Sequence, residues 1–239
     1  MIKLSERLYA AASLVGDSPS VADVGCDHGY LGMFLLEQGM TQYVYAMDVH
    51  KGPLERARDN AVSFGVSDRM EFILSDGLTT LKEPYAQTAV ILGMGGALII
   101  RIIEEAPAAV RGTLKQYVLG PQSEQWLFRR RLTELSLTVV DEKHVYEDGK
   151  YYPMLLAKPD ESLKKEERQR YRLRSAAEYS YGRIGLERGN EVLRRHILRE
   201  AELFSKLLKG QLPESRKREL KERYETAAEA LDTYYKGEL

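Results

Sequence analysis

Cysteine and long hydrophobic runs are both scarce in this chain of 239 residues. The single cysteine, Cys26, excludes an internal disulfide framework and is typical of a reducing compartment. Because no run of about 20 apolar residues occurs, we expect no transmembrane helix. Residues 1–15 also lack the apolar centre and the small-residue cleavage site of a secretory signal. These absences predict a cytoplasmic protein with no membrane partner.

Metal-binding patterns are lacking as well. The chain has four histidines, and they are scattered rather than clustered with cysteine at metal-ligand spacing. We therefore expect no bound metal. What the chain does contain is an ordinary globular composition, 44% hydrophobic and 30% charged, which is enough to form a sizeable core.

Charge divides the chain into two parts. Residues 1–159 contain 16 Lys and Arg against 20 Asp and Glu, whereas residues 160–239 contain 19 against 16. The second part is also charge-dense, with 35 charged residues among its 80. This shift predicts a domain boundary near Pro159, with one domain at 1–159 and a second, smaller domain at 160–239.

The first part alternates β-rich runs with helical patterns. Five such runs separated by helices predict a parallel, doubly wound sheet of the α/β class. Asp148-Gly149 lies between two further β-rich runs and is a strong hairpin signal, so the sheet should end in an antiparallel pair. The predicted strands cover residues 21–24, 43–47, 70–74, 88–92, 116–119, 138–145 and 151–157, and the predicted helices cover 31–38, 53–64, 97–105 and 124–135.

The second part is expected to be helical. Apolar residues recur at helical spacing over 192–208, and a turn containing Gly210 and Pro213 follows. The next stretch has heptad spacing, which predicts an antiparallel, coiled-coil-like helical hairpin. A further helix is expected over residues 161–181. The heptad positions are Leu220, Tyr224, Ala227, Leu231 and Tyr234.

The turn after the first predicted strand departs from a dinucleotide-binding fingerprint. A strand, a tight glycine turn and a helix open a nucleotide-binding βαβ unit. Here the order is Asp23-x-Gly25-x-Asp27-x-Gly29, so Asp27 stands where the second glycine is expected. A carboxylate there would repel a pyrophosphate, whereas Asp23 and Asp27 would favour a sulfonium or ammonium cation. The alternative is a plain helix-entry turn capped by Asp27.

Candidate ligand residues also follow the next four predicted strands. An acidic residue after the second strand can bind ribose hydroxyls, and glycines after the fourth let a ligand approach the backbone closely. Each position also has a structural explanation: a surface carboxylate, an Asp-Gly turn, a mobile glycine turn or an ordinary proline turn. In chain order the candidates are Asp48 and Val49, then Asp76 and Gly77, then Gly93, Met94 and Gly95, and finally Pro121 and Gln122.

Clustered basic residues are candidate ligands for RNA phosphates. The alternative is a set of solvated, salt-bridged helix faces, because Glu is interleaved throughout the tail. The overall isoelectric point near 6.5 does not favour RNA binding. The candidates are Lys3 and Arg7 on a predicted N-terminal helix, Arg129 and Arg130 after the fifth strand, and Arg168, Arg170, Arg172, Arg174, Arg194 and Arg195 in the tail.

Together these motifs resemble the bacterial tRNA (adenine-22-N1)-methyltransferase family, the TrmK type. The resemblance covers nearly the whole chain. It is carried by Asp-x-Gly-x-Asp-His-x-Tyr-Leu at 23–31, Gly-Pro at 52–53, Gly-Met-Gly-Gly at 93–96 and Glu-Asp-Gly-Lys-x-Tyr at 147–152. It implies a Rossmann-like class I methyltransferase sheet with a reversed last strand, S-adenosylmethionine as cofactor and N1 of a tRNA adenine as the methyl acceptor.

The resemblance also implies roles for individual residues. Cofactor contacts are expected at the first turn, at Asp48, at Asp76 and at the 93–96 loop, while catalytic or target-base roles fall to Asp27, His28 and Tyr30. The chain departs from the family at 120–122, where Gly-Pro-Gln replaces Gln-Pro-Asn. Alternatives are a small-molecule or protein methyltransferase of the same fold and a non-catalytic RNA-binding protein that keeps it. Asp27 and the antiparallel end of the sheet disfavour an NAD-dependent oxidoreductase.

Overall fold

The computed structural model describes residues 2–83 and 85–236, and one seven-stranded sheet forms its centre. The strands are β1 Ser20–Val24, β2 Tyr43–Asp48, β3 Met70–Leu74, β4 Thr88–Met94, β5 Gln116–Pro121, β6 Leu137–Glu147 and β7 Lys150–Pro159. Their order across the sheet is β3-β2-β1-β4-β5-β7-β6. Strands β1 to β5 are parallel, and β7 runs antiparallel to both β5 and β6. The predicted α/β class and the antiparallel end are confirmed.

Helices cover both faces of the parallel part of this sheet. They are α1 Glu6–Val15, α2 Tyr30–Glu37, α3 Lys51–Ser63, α4 Gly96–Glu105, α5 Ala108–Thr113 and α6 Gln125–Glu134. The first three pack on one face and the last three on the other, which explains why β1 and β2 are buried along almost their whole length. The short helix α5 was not predicted. Lys3 lies before α1, so its predicted place on the N-terminal helix is wrong.

The hairpin between β6 and β7 has the backbone that its sequence predicts. Glu147 pairs with Lys150, and the two residues between them, Asp148 and Gly149, have φ of 50° and 76°. A two-residue loop with both central residues in the left-handed region matches the twist of the flanking strands. This turn therefore fixes the register of the two outermost strands.

The C-terminal part is helical, but it contains more helices than predicted. Its helices are α7 Lys165–Tyr171, α8 Ala176–Tyr181, α9 Arg183–Glu187, α10 Glu191–Leu208 and α11 Glu214–Tyr234. The single helix expected over 161–181 is wrong, because a 3₁₀ turn at Asp160–Ser162 and a break after Tyr171 divide it. Ser175 starts a new helix by accepting the backbone N–H of Glu178, and Glu178 in turn accepts the N–H of Arg174.

Helices α10 and α11 form the predicted antiparallel hairpin. The Tyr235 hydroxyl donates to the Asn190 carbonyl at 3.1 Å at one end, while the Arg223 guanidinium lies over the Phe204 ring at 4.5 Å farther along. The heptad residues supply its core: three of them are buried, and two tyrosines pack at its edge. These residues are Leu220, Ala227 and Leu231, then Tyr224 and Tyr234.

A buried ion pair between α6 and β6 contacts the C-terminal helices. Arg129 of α6 and Glu142 of β6 are both 1% exposed in their side chains, with Nη2 and Oε1 2.9 Å apart. The other Glu142 oxygen accepts the backbone N–H of Gly185 in α9 at 3.2 Å. Arg129 is therefore engaged in a buried ion pair, which does not favour its predicted role in binding the substrate. Over the described residues, no helix is long and apolar enough to cross a membrane.

Candidate active site

A cleft of about 640 Å³ opens where the parallel strands end. It lies at the carboxyl edge of β1 to β4, beside the point where strand order reverses between β1 and β4. Ligands bind at this place in open α/β sheets, and the volume is that of an ordinary small-molecule site. Most of the predicted site residues line it: Arg7, Asp23, Gly25, Asp27, His28, Tyr30, Asp48, Val49, Asp76, Gly77, Gly93, Met94 and Gln122.

The first turn is held in a conformation that few residues adopt. Gly25, Asp27 and Gly29 have φ of 75°, 49° and 74°, and Asp27 is one of few non-glycine residues in this region. The backbone N–H of Gly25 donates to the Met47 carbonyl at 2.8 Å, which ties the turn to β2. Gly29 occupies the N-cap position of α2, so the alternative explanation of Asp27 as the helix cap is wrong.

Asp23 is a buried carboxylate in the lining of this cleft. It is 5% exposed, and its Oδ2 atom has no hydrogen-bond partner among the described residues. Burial raises its pKa to about 7, and the nearby Asp48 adds to this, although a backbone hydrogen bond from Gly32 opposes it. An unsatisfied buried carboxylate oxygen is costly unless a ligand supplies a donor or a positive charge. This atom therefore suits an ammonium or sulfonium ligand.

The mouth of the cleft carries the three predicted catalytic residues. The Asp27 side chain is 68% exposed, and its Oδ1 lies 3.6 Å from His28 Nε2 and 3.8 Å from Arg56 Nη2. The rings of His28 and Tyr30 are stacked, with centroids 5.9 Å apart and planes inclined by 28°. An exposed carboxylate beside two stacked rings can contact a planar, cationic group that enters from solvent.

The acidic residues after β2 and β3 have different surroundings. Asp48 Oδ1 accepts the backbone N–H of His50 at 2.9 Å, and its side chain is 11% exposed. Both oxygens of Asp76 accept from Arg101 of α4, at 2.9 and 3.0 Å, and this hydrogen bonding lowers the pKa of Asp76. Arg101 was not among the predicted site residues. Its signal in the sequence was a single basic residue inside the apolar run 97–103.

Two loops at the far side of the cleft are tied to each other. Gly93, with φ of 75°, produces an irregularity between β4 and β5, and the backbone N–H of Gln122 donates to the Met94 carbonyl at 2.9 Å. A Cβ on Gly25 would collide with the Met94 methyl group, so the first turn approaches this loop closely. Gly95 lies just outside the cleft, at the N-cap of α4.

Several predicted residues stand apart from the cleft. Gly29 packs against Ala57 of α3, and Pro121 is buried at the end of β5. Lys3 is exposed before α1, and Arg130 lies on the surface of α6, paired with Glu134. The candidates that the structure brings together are therefore those that follow the carboxyl ends of β1 to β5, with Arg7 of α1 added to them.

The profile of a methyltransferase-domain family matches residues 4–155 of the chain. The chain belongs to this family. It is 30% identical over 161 residues to the tRNA (adenine(22)-N(1))-methyltransferase of Bacillus subtilis, a match that covers 65% of each protein. The chain thus spans just under two thirds of that relative in the sequence match.

Solved structures match almost the whole chain. The crystal structure of the B. subtilis m1A22 tRNA methyltransferase TrmK has a TM-score of 0.82 and 25% identity, covering 97% of this chain and 100% of that one. The Streptococcus pneumoniae protein Sp1610 in complex with S-adenosyl-L-methionine has a TM-score of 0.83 and 26% identity, covering 96% and 100%. The resemblance on which the sequence analysis relied is confirmed, C-terminal helices included.

Proposed function

We propose that this protein transfers a methyl group from S-adenosylmethionine to N1 of an adenine in tRNA. The observation that carries the proposal is the pair of carboxylates in the cleft, with Asp23 unpartnered and buried and Asp27 exposed at the mouth. A buried carboxylate suits the cationic cofactor, and an exposed one suits a base that becomes cationic. The names of the Bacillus and Streptococcus relatives support both parts.

The cofactor would occupy the cleft between the strand ends. Asp23 and the first turn (Gly25, Asp27, His28) would face its amino-acid end, and Asp48 and Val49 its ribose. Asp76 and Gly77 would lie at its adenine, and the Gly93, Met94 and Gly95 loop at its reactive side. S-adenosylmethionine supplies an electrophilic methyl group attached to a sulfonium.

The target adenine requires positioning more than a strong base. The lone pair of N1 lies in the ring plane and is available without deprotonation, so orientation supplies much of the rate. Asp27 would stabilise the positive charge that develops on the methylated ring and can accept a proton from the exocyclic amine. His28 and Tyr30 would hold the base, which must first leave its stack in the RNA.

The remaining substrate contacts follow from position. Arg7 and Gln122 line the cleft, so we assign these two residues to the RNA side. Lys3 and Arg130 are exposed outside the cleft and would contact RNA beyond it, whereas the buried Pro121 would act only by shaping the loop before Gln122. Residues 160–239 would form an RNA-contacting domain beside the methyltransferase domain at 1–159. Because tRNA is the substrate, we place the activity in the cytoplasm.

Mass spectrometry of nucleosides tests this proposal directly. Unmodified tRNA is incubated with the protein and labelled S-adenosylmethionine, then digested. We expect labelled N1-methyladenosine, and a block to reverse transcription at the modified position should map it to the D-arm side of the tRNA. Label in another nucleoside would show that the methyl acceptor is not N1 of adenine. Binding of S-adenosylhomocysteine without any label in tRNA would contradict a tRNA methyltransferase and favour a small-molecule, protein or non-catalytic role.

A further inference from the structure

The only tryptophan of the chain lies on the surface beside the cleft. Trp126, in the first turn of α6, is 42% exposed. Its ring lies 5.9 Å from that of Tyr179, tilted by 48°, and the Arg130 guanidinium lies 5.5 Å from its centre. An exposed tryptophan beside a second ring and a cation is unusual on a surface that binds nothing.

Unpaired basic residues lie next to these rings. Over the described residues, no carboxylate lies within ion-pair distance of the five cations at Lys165, Arg168, Arg170, Arg172 and Arg174, all of which are exposed. Most other arginines of the C-terminal helices have a Glu or Asp partner, as Arg183, Arg188, Arg194, Arg195, Arg216 and Arg223 do. Five exposed cations without an ion-pair partner among the described residues are therefore clustered between residues 165 and 174.

Two cavities connect the active site to this basic segment. One, of about 870 Å³, contains both Gln122, which also lines the cofactor cleft, and Trp126. The other, of about 400 Å³, is lined by Lys165, Arg168 and Arg172 together with Tyr179, the ring neighbour of Trp126. The contact between the Trp126 and Tyr179 rings thus places the tryptophan between the cleft and the exposed cations, and the larger cavity is also lined by Glu124, Glu200, Glu219 and Glu222.

We infer that Trp126 is a stacking platform for an unpaired base of the RNA substrate, with the 165–174 segment binding the adjoining phosphates. The inference rests on the proposed function and specifies how the substrate is held. Single-stranded and looped RNA is recognised by aromatic stacking combined with cationic backbone contacts, and this surface offers both. A protein partner fits less well, because protein interfaces have few charges at their centre.

Because Trp126 is the only tryptophan, its fluorescence reports on this surface alone. Excitation at the red edge of the absorption band avoids the tyrosines. With the full-length protein saturated in S-adenosylhomocysteine, addition of unmodified tRNA should quench the emission, because a stacked base quenches indole fluorescence. The quenching should saturate at the tRNA concentration that saturates binding on filters.

Substitutions then measure the contribution of the ring. Trp126→Ala should raise the KM for tRNA by roughly 5- to 150-fold, the range expected for the loss of one stacked base, and leave the affinity for S-adenosylhomocysteine unchanged. Trp126→Phe should recover part of the loss. Phe64→Ala is the matched control, since Phe64 is 43% exposed at the end of α3, away from the cleft, and should have no effect.

The outcomes separate this inference from the function on which it rests. If tRNA is bound and methylated but the Trp126 emission is unchanged, or if Trp126→Ala keeps the wild-type KM, the platform is refuted and the methyltransferase stands. Quenching caused by raising the protein concentration without RNA would indicate a second copy of the chain and also refute it. If the wild-type protein neither binds nor methylates tRNA, both proposals fail.

Discussion

At the scale of single residues, the cleft contains a buried carboxylate, Asp23. Burial raises the pKa of Asp23 to about 7, so the free protein holds a proton there in mild acid. Because the pKa of Asp23 is higher in the folded protein than in the unfolded chain, the protonated residue favours the folded state. This contribution to stability is fully present below about pH 4 and is lost as the pH rises through about 7. A cationic ligand favours the ionised form of Asp23, so its binding to the protonated protein releases that proton.

The affinity for S-adenosylmethionine should therefore rise with pH. We expect binding about tenfold weaker at about pH 6 than at about pH 8, with a plateau above the Asp23 pKa. Calorimetry at both pH values measures this. Asp23→Asn should bind weakly and lose this dependence, which separates it from titration of the ligand itself. An identical pH profile in the two proteins would show that Asp23 does not face the cation.

Asp27 carries a separate prediction about turnover. Asp27→Asn removes the charge, and asparagine tolerates the left-handed backbone found here. We expect kcat to fall by about 10²- to 10³-fold, the size typical of a lost electrostatic contact in a transition state, with cofactor binding changed much less. Asp59→Asn on α3 removes another exposed charge and should remain fully active. Wild-type kcat in Asp27→Asn would assign the developing charge to another group.

Some single residues were predictable from the local sequence, and others were not. The Asp-x-Gly-x-Asp turn predicted the cleft because its spacing is local and its conformations are restricted. Arg101 and the burial of Arg129 could not be foreseen in this way, since each depends on a partner far along the chain, Asp76 and Glu142. A cluster of arginines has the same appearance in sequence whether it faces solvent or the core.

At the scale of elements, strands were easier to predict than the C-terminal connections. The strands are short apolar runs between clear turns, and the Asp148-Gly149 turn fixes the last hairpin. The break between α7 and α8 had a local signal as well, the helix-capping Ser175 with Glu178 three residues later, but helical composition on both sides concealed it. Composition predicts that a region is helical, whereas caps decide where one helix ends and another begins.

Helix α9 packs on β6 at Gly185, and a substitution at this glycine tests how tightly the two elements pack. A Cβ on Gly185 would collide with the His144 imidazole and come within 2.9 Å of a Leu193 methyl group. We expect Gly185→Ala to lower the free energy of unfolding by about 1–3 kcal/mol through overpacking. Gly112→Ala in α5 meets open space and should stabilise by about 0.5–1 kcal/mol. Urea denaturation measures both, and a neutral Gly185→Ala would mean that α9 is loosely seated.

At the scale of the whole molecule, the predicted division at Pro159 crosses a tightly packed contact. The rings of His144 in β6, Tyr151 in β7 and His196 in α10 stack in series, the last two with centroids 4.0 Å apart. Burial lowers the pKa of His144 to about 4, so this stack is uncharged at neutral pH. Because sheet and helices share these rings and the Arg129–Glu142 pair, we expect both parts to unfold in one cooperative transition.

Arg129→Met is the decisive variant for this coupling. It leaves the Glu142 carboxylate buried without its cation, which should cost about 3–5 kcal/mol of unfolding free energy. Combining it with Glu142→Gln removes the uncompensated charge and should recover part of that loss. Arg130→Met, one residue away on the exposed face, breaks a surface ion pair and an exposed cation–π contact with Trp126 and should cost at most about 1 kcal/mol. Denaturation followed separately by Trp126 emission and by far-ultraviolet circular dichroism measures all three. If Arg129→Met is as stable as the wild type, the Arg129–Glu142 pair does not stabilise the contact between the C-terminal helices and the sheet. If the fluorescence and circular dichroism transitions of the wild type occur at different denaturant concentrations, residues 1–159 and 160–239 unfold independently.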